Sequence, residues 1–204
     1  MGRGFFIVLE GVDGSGKTTQ ARLLAEALRV RGFEVALTQE PSEGPIGKKI
    51  REYLSGPTRH LTPQEELALF MADRREHVER VIRPALAEGK IVISDRYYFS
   101  SAAYQGALGL DPEQILTAHQ DFAPAPDLVF FLKLAVTQAV GRRGEEAPQV
   151  IEAPAYLERV AAIYATFRGP HLHRVDAAGP VEETHAEALA ITLEAMAEQG
   201  LADV

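Results

Sequence analysis

Residues Gly11-Val12-Asp13-Gly14-Ser15-Gly16-Lys17-Thr18 constrain this chain more than any other stretch. They follow directly on the apolar run Phe5-Phe6-Ile7-Val8-Leu9 and fit the spacing G-x-x-x-x-G-K-[ST], in which the backbone curls so that successive N–H groups point inward at phosphate oxygens. Gly11, Gly14 and Gly16 permit that curl. Lys17 is placed to reach the β- and γ-phosphates of a nucleoside triphosphate and Thr18 to offer its hydroxyl to Mg²⁺, with Val12, Ser15 and Thr19 completing the loop. Leu23, Leu24, Ala27 and Leu28 follow at helical spacing, so the helix opening there aims its positive dipole end at the anion. The competing reading is a Gly-rich turn between strand and helix; the β-branched and aromatic run in front of the loop favours nucleotide binding.

At 204 residues the chain reads as one α/β domain, residues 1–204, with a mobile appendage. A formal charge of −8 argues against a nucleic-acid groove or an anionic membrane as the main partner. Cys is absent, which excludes disulfides and thiolate metal sites. No segment approaches the ~20 apolar residues of a membrane helix, and the run 5–9 is shorter than the apolar part of a secretory signal. The reading is a cytoplasmic protein.

The rest of the chain alternates strands with helices. The first strand spans 5–10 and the first helix 17 to about 31, where Gly32 stops it. A second strand over 34–39 closes on Glu40-Pro41, and a short helix follows to about 54. Thr62-Pro63-Gln64-Glu65 is a capping box with Pro at the first helical position, so a long helix starts there, with Leu67, Phe70, Met71, Val78 and Val81 as its buried stripe and Arg74 on that stripe. Pro84 is a candidate kink before Gly89. A third strand covers 90–94, residues 95–109 carry the densest polar and aromatic run, and Asp111 caps another helix. A strand over 128–134, a helix from about 137, a helix over 154–168, a short strand over 173–176 and a helix over 181–199 complete the reading. Strands of nearly continuous apolar residues imply a parallel sheet covered on both faces.

A phosphate loop alone fits a kinase, a switch GTPase or a motor ATPase. A guanine-reading N-K-x-D motif is impossible in a chain without Asn. The third strand ends Ile93-Ser94-Asp95-Arg96 rather than in the Asp-Glu of a motor. Asp95 at the carboxyl end of a parallel strand beside the phosphate loop is where a Mg²⁺-organising carboxylate belongs, and Arg96 next to it suggests a second anionic substrate. Together they point to transfer between two nucleotides.

The run from Ile93 through Asp95-Arg96-Tyr97-Tyr98-Phe99-Ser100-Ser101-Ala102-Ala103-Tyr104-Gln105-Gly106 resembles the signature of bacterial thymidylate kinases. The similarity extends to Phe6-Ile7-Val8-Leu9-Glu10-Gly11-Val12-Asp13-Gly14, Glu40-Pro41, Leu69-Phe70-Met71-Ala72-Asp73-Arg74-Arg75, Pro126-Asp127-Leu128 and Val175-Asp176-Ala177. The resemblance implies a three-layer P-loop kinase fold, with a five-stranded parallel sheet flanked by helices, an acceptor region at about 38–110 and a short mobile lid at about 141–153. It implies transfer of the γ-phosphoryl group of ATP to dTMP with Mg²⁺, the metal resting on Thr18 and Asp95, in a homodimer without nucleic-acid or membrane partners.

By the same resemblance, Arg96 grips the acceptor phosphate, with Arg51 beside the Glu40-Pro41 loop as a second candidate. Phe70 stacks on thymine and Arg74, four residues on and so on the same helix face, hydrogen-bonds a pyrimidine oxygen. Ser100 and Gln105 attend the polar edge of the base, Ser101 and Glu40 belong to the same dTMP site, and Tyr104 crowds the sugar 2′ position. Asp13 faces the acceptor sugar or the metal. Some thymidylate kinases place an arginine where this chain has Gly14; those without it draw catalytic arginines from the lid, here Arg142 and Arg143. The chain departs from the family pattern in carrying Gln149-Val150-Ile151-Glu152 in the lid and Gln39 before Glu40. His171-x-His173 is the one hint of metal-ligand spacing and is not read as a site. A kinase for another nucleoside monophosphate or for a deoxynucleoside stays open, as does a non-catalytic ATP-binding switch.

Overall fold

A computed structural model describes residues 4–56, 59–142 and 153–201. Strand β1 (Phe5–Glu10) is buried along its whole length. Because strand side chains alternate between faces, Phe6 and Val8 enter one apolar core while Phe5, Ile7 and Leu9 enter the other. That is the physical content of a continuous apolar run: both faces of the sheet are covered. Helix α1 (Lys17–Val30) follows the phosphate loop, and β2 (Val35–Gln39) follows α1. Helix α2 (Pro45–Ser55) comes next, then α3 (Pro63–His77), whose expected capping box is present.

Residues Val78–Ile82 continue α3 as one turn of π-helix and lead into α4 (Arg83–Ala87). The chain then runs through β3 (Ile91–Asp95), α5 (Tyr98–Gly106), α6 (Pro112–His119) and β4 (Leu128–Lys133). It ends with α7 (Val136–Gly141), α8 (Pro154–Tyr164), β5 (Leu172–Asp176) and α9 (Val181–Glu198).

All pairings are parallel and the strand order is β2-β3-β1-β4-β5. From β1 the chain moves outward to β2, returns to β3, and then builds β4 and β5 on the opposite side. The crevice at the carboxyl end of β1 is therefore the switch point at which ligands bind in such sheets. In-register pairing brings Leu9, Gln39 and Asp95 to the same edge.

Two readings of the sequence need correction. The stripe expected on α3 is largely polar: Glu66, Asp73, Arg74 and His77 are its buried residues, while Leu67, Phe70 and Met71 are half-buried. Val78 is buried as expected, but Val81 is exposed and Ile82 is buried in its place, because the π-turn adds a residue to the repeat. The polar and aromatic run after β3 is itself a helix, α5. Its first N–H groups are capped from a distance, since the Glu10 carboxylate accepts from the backbone N–H of Tyr97 at 2.9 Å and of Ser100 at 3.0 Å.

Candidate active site

The phosphate loop has the conformation its glycines allow. Gly14 has φ 85°, and a Cβ there would meet the Ala139 carbonyl oxygen of α7 at 2.2 Å. Gly16, the N-cap of α1, has φ 93°. No side chain caps α1, and its first turn has no acidic residue, so the N-terminal amides and the dipole are left to an external anion. Ser15 adds a buried hydroxyl with no protein partner. Lys17 is buried with its Nζ donating to the Val12 carbonyl at 3.0 Å. Burial first and the charge of Arg96 second lower its pKa to about 8, against the opposing pull of Asp13, Asp95 and Glu10.

Around this loop lies a cleft of about 670 Å³. One end is walled by Gln39, Glu40, Pro41 and Arg51; the other by Arg142, Ala177, Gly179, Pro180, Val181 and Thr184; residues 13–20, Asp95 and Arg96 form the middle. Thr18 donates to Asp95 Oδ2 at 2.5 Å, and Asp95 Oδ1 is buried without a protein partner. An oxygen pair with an unsatisfied carboxylate fits a hard divalent cation that keeps nucleotide phosphates among its ligands. Among the described residues, no group of three or more His, Cys, Asp or Glu side chains forms a protein cage for a metal.

Arg96 follows Asp95 with φ 76°, an unusual conformation for a residue with a side chain and one that collects at functional sites. Its NH2 pairs with Asp13 of the phosphate loop, its NH1 reaches Ser100 Oγ at 2.9 Å, and its guanidinium carbon lies 5.2 Å from the centre of the Tyr104 ring. The Asp13 backbone N–H donates to the Tyr104 hydroxyl at 3.2 Å. Asp13, Arg96 and Tyr104, far apart in sequence, thus form one cluster at the cleft.

Of the other expected acceptor residues, Glu40 and Arg51 line this cleft, while Phe70, Arg74, Ser100, Ser101 and Gln105 do not. Arg74, expected to reach a base, is 1% exposed and directs its N–H groups to Glu40, Tyr97, Ser101 and His119. Ser101 is taken up by Arg74; Ser100 donates to Glu10 at 2.6 Å. All three are buried with protein partners at their polar atoms, and none of them lines the cleft. Gln105 donates to Glu66 at 2.8 Å, but its carbonyl oxygen has no partner. Phe70 is half-buried and belongs to neither core. Arg51 is in the cleft, bracing the loop through the carbonyls of Pro41 and Ser42 at 2.7 Å each. Arg142 bonds the Ala177 carbonyl at 2.9 Å, at the opposite end from Arg51. Arg143 and most of the expected lid, with its Gln149 to Glu152 stretch, lie outside the described residues.

Sequence reading missed two organising carboxylates. Glu10 is fully buried and, besides capping α5, accepts from the hydroxyls of Ser100 and Tyr164; burial raises its pKa. Asp73 accepts from the Ser42 N–H at 2.8 Å and the Ser42 hydroxyl at 2.5 Å, fixing the loop after the cis Glu40-Pro41 bond. Charged residues recurring on one helical face, 66, 73, 74 and 77, were the available signal for the second.

Residues 9–188 match the family model for thymidylate kinase. The chain belongs to the thymidylate kinase family. A thymidylate kinase of Desulfotalea psychrophila is 44% identical over 183 residues, covering 88% of this chain and 89% of the relative. One from Xanthomonas campestris is 44% identical over 199 residues, covering 96% and 86%. A probable thymidylate kinase of Pyrococcus horikoshii is 41% identical over 202 residues, covering 93% and 96%. Membership gives the two ends of the cleft a common meaning: thymidylate kinases are enzymes, and the phosphate loop, Asp95 and Arg96 lie where the two ends meet. No described helix is long and apolar enough to cross a membrane.

Proposed function

We propose that this chain transfers the γ-phosphoryl group of ATP to the 5′-phosphate of dTMP, giving ADP and dTDP, with Mg²⁺ as the metal, as a cytoplasmic homodimer. The reading is carried by a single cleft whose two unlike ends meet at an uncapped helix N-terminus, in a chain of the thymidylate kinase family. ATP lies with its phosphates in the loop 11–19 and its nucleoside toward Arg142 and residues 179–184. The acceptor phosphate lies toward Arg96 and Arg51, within an acceptor region of about 38–110. Phe70, a half-buried ring outside both cores, and Gln105, with a spare acceptor, attend the base. Tyr104 stands beside the sugar, positioned by Asp13. The lid, about 141–153, supplies Arg143 to the transferring group, and Arg142 serves the ATP end.

Phosphoryl transfer asks for alignment and for positive charge on the moving group. Lys17 and Arg96 flank the point where the two phosphates would meet, and Arg96 can grip an oxygen pair as a planar donor. Arg74, Ser100 and Ser101 act from behind by holding Glu40 and Arg96. Thr18 and Asp95 would hold the metal, which would supply positive charge to the transferring phosphoryl group.

An ADP-release assay with dTMP, dUMP, CMP and AMP as acceptors tests the reading. Turnover is expected to be fastest with dTMP. Faster turnover of AMP would overturn the substrate, and ATP binding without ADP release for every acceptor would mean a switch rather than an enzyme.

A further inference from the structure

Arg74 places five donor contacts inside the protein. Its Nε and NH2 share one Glu40 oxygen, at 2.8 and 2.6 Å, and NH2 also reaches the Tyr97 carbonyl at 3.1 Å. NH1 bonds the Ser101 hydroxyl at 3.0 Å and lies 2.6 Å from His119 Nε2. His119 closes α6, a helix from which no residue lines the cleft. Its Nδ1 lies 2.7 Å from the Ile115 carbonyl oxygen. A carbonyl can only accept, so Nδ1 carries the proton and Nε2 presents a bare lone pair to the guanidinium. Burial, followed by the charge of Arg74, lowers the imidazole to about 4, so the neutral ring is the form present at neutral pH.

We propose that His119 is a positioning residue of the acceptor site: through the Nε2 lone pair it fixes the Arg74 guanidinium, which in turn fixes Glu40 and the Glu40-Pro41 wall of the cleft. This rests on the assignment of that end of the cleft to dTMP. Each link is short and buried. Arg74 is 1% exposed, His119 1% and Glu40 6%, so water cannot replace a lost acceptor. A guanidinium N–H left unsatisfied at such depth either bears the desolvation cost or turns toward another partner. In both cases Glu40 shifts, and with it the residue that opens the acceptor loop. α6 thereby braces the nucleotide site without touching it.

His119 also packs against Tyr98 and Phe122, with ring centres 5.8 and 5.4 Å away. A purely packing role is the rival, and two substitutions separate the roles. His119→Phe keeps a ring and removes the acceptor; His119→Gln removes the ring and keeps an acceptor near the position of Nε2. His119→Phe is expected to raise KM for dTMP about tenfold, the cost of one hydrogen bond to a charged group, with KM for ATP within about twofold of the parent. His119→Gln should keep both KM values within about threefold. An unchanged dTMP KM in His119→Phe, a parallel rise in both KM values, or equal damage in both variants would overturn the proposal. Imidazole ¹⁵N spectra of the parent supply a readout independent of any substrate: the Nδ1-protonated neutral tautomer should persist to pH 5, and a ring that protonates above pH 6 would also overturn it. If the parent phosphorylates another monophosphate instead, the assignment of dTMP fails, and the same split between the two variants is read on that acceptor.

Discussion

Lys17 is a cation held in a buried place before any phosphate arrives. Its proton is loosened to a pKa of about 8, whereas a bound polyphosphate favours the charged form. Above pH 8, binding of ATP must therefore take up a proton. Since kcat/KM reports the free enzyme, kcat/KM for ATP should be level up to about pH 8 and fall as pH rises through it. Lys17→Arg, permanently charged, should move that limb above pH 10 at a lower rate. A parent profile that is level to pH 9.5 would contradict the assignment. Legibility at this scale was uneven. The spacing around Lys17 is local, so its place in the loop before α1 could be read directly. A guanidinium on the stripe of a helix announced that Arg74 needed an acceptor, but Glu40 and His119 lie 34 and 45 positions away, and no local pattern specifies such a pair. Glu10 was harder still: inside an apolar strand it looks like the strand's end, and only the fold reveals the four donors around it.

Elements were legible where local chemistry sets them. The capping box at Thr62, Pro at the starts of α3 and α6, and Gly32 after α1 gave boundaries within a few residues. α5 went unread because its cap comes from Glu10 of another element and its sequence lacks an apolar stripe with a polar opposite face. The π-turn of Val78–Ile82 was equally hidden, since a one-residue change of repeat leaves no mark in composition. The contact of the phosphate loop with α7 yields a test at this scale. Gly14 and Gly16 both have positive φ, but a Cβ at Gly14 meets backbone while one at Gly16 meets nothing within 4 Å. Gly16→Ala should cost the left-handed penalty of about 1–2 kcal/mol, and Gly14→Ala clearly more, with a larger fall in ATP affinity. Urea unfolding and nucleotide titration measure both; equal costs would mean that α7 yields freely.

At the scale of the molecule, one sheet keeps two apolar cores apart and brings β1, β2 and β3 to a common edge. Alternation of strand and helix was enough to foresee that architecture, because a parallel sheet with both faces covered is what such a pattern can bury. The division of the cleft follows from it: Thr18 and Asp95 stand in the middle, while the Glu40 end is built from α2, α3 and the loop before them. Removal of divalent cations with EDTA should therefore abolish turnover, yet leave the dissociation constant for dTMP alone within about twofold. Calorimetric titration of dTMP with and without EDTA checks this, and a tenfold loss of dTMP affinity would place the metal at the wrong end.

The close approach of Gly14 to Ala139 also limits how this lineage can change. A side chain at position 14 needs α7 to give way, because the backbone of that helix already occupies the space a Cβ would take. The phosphate loop and α7 can therefore vary at this contact only together. One interatomic distance ties the two elements to each other.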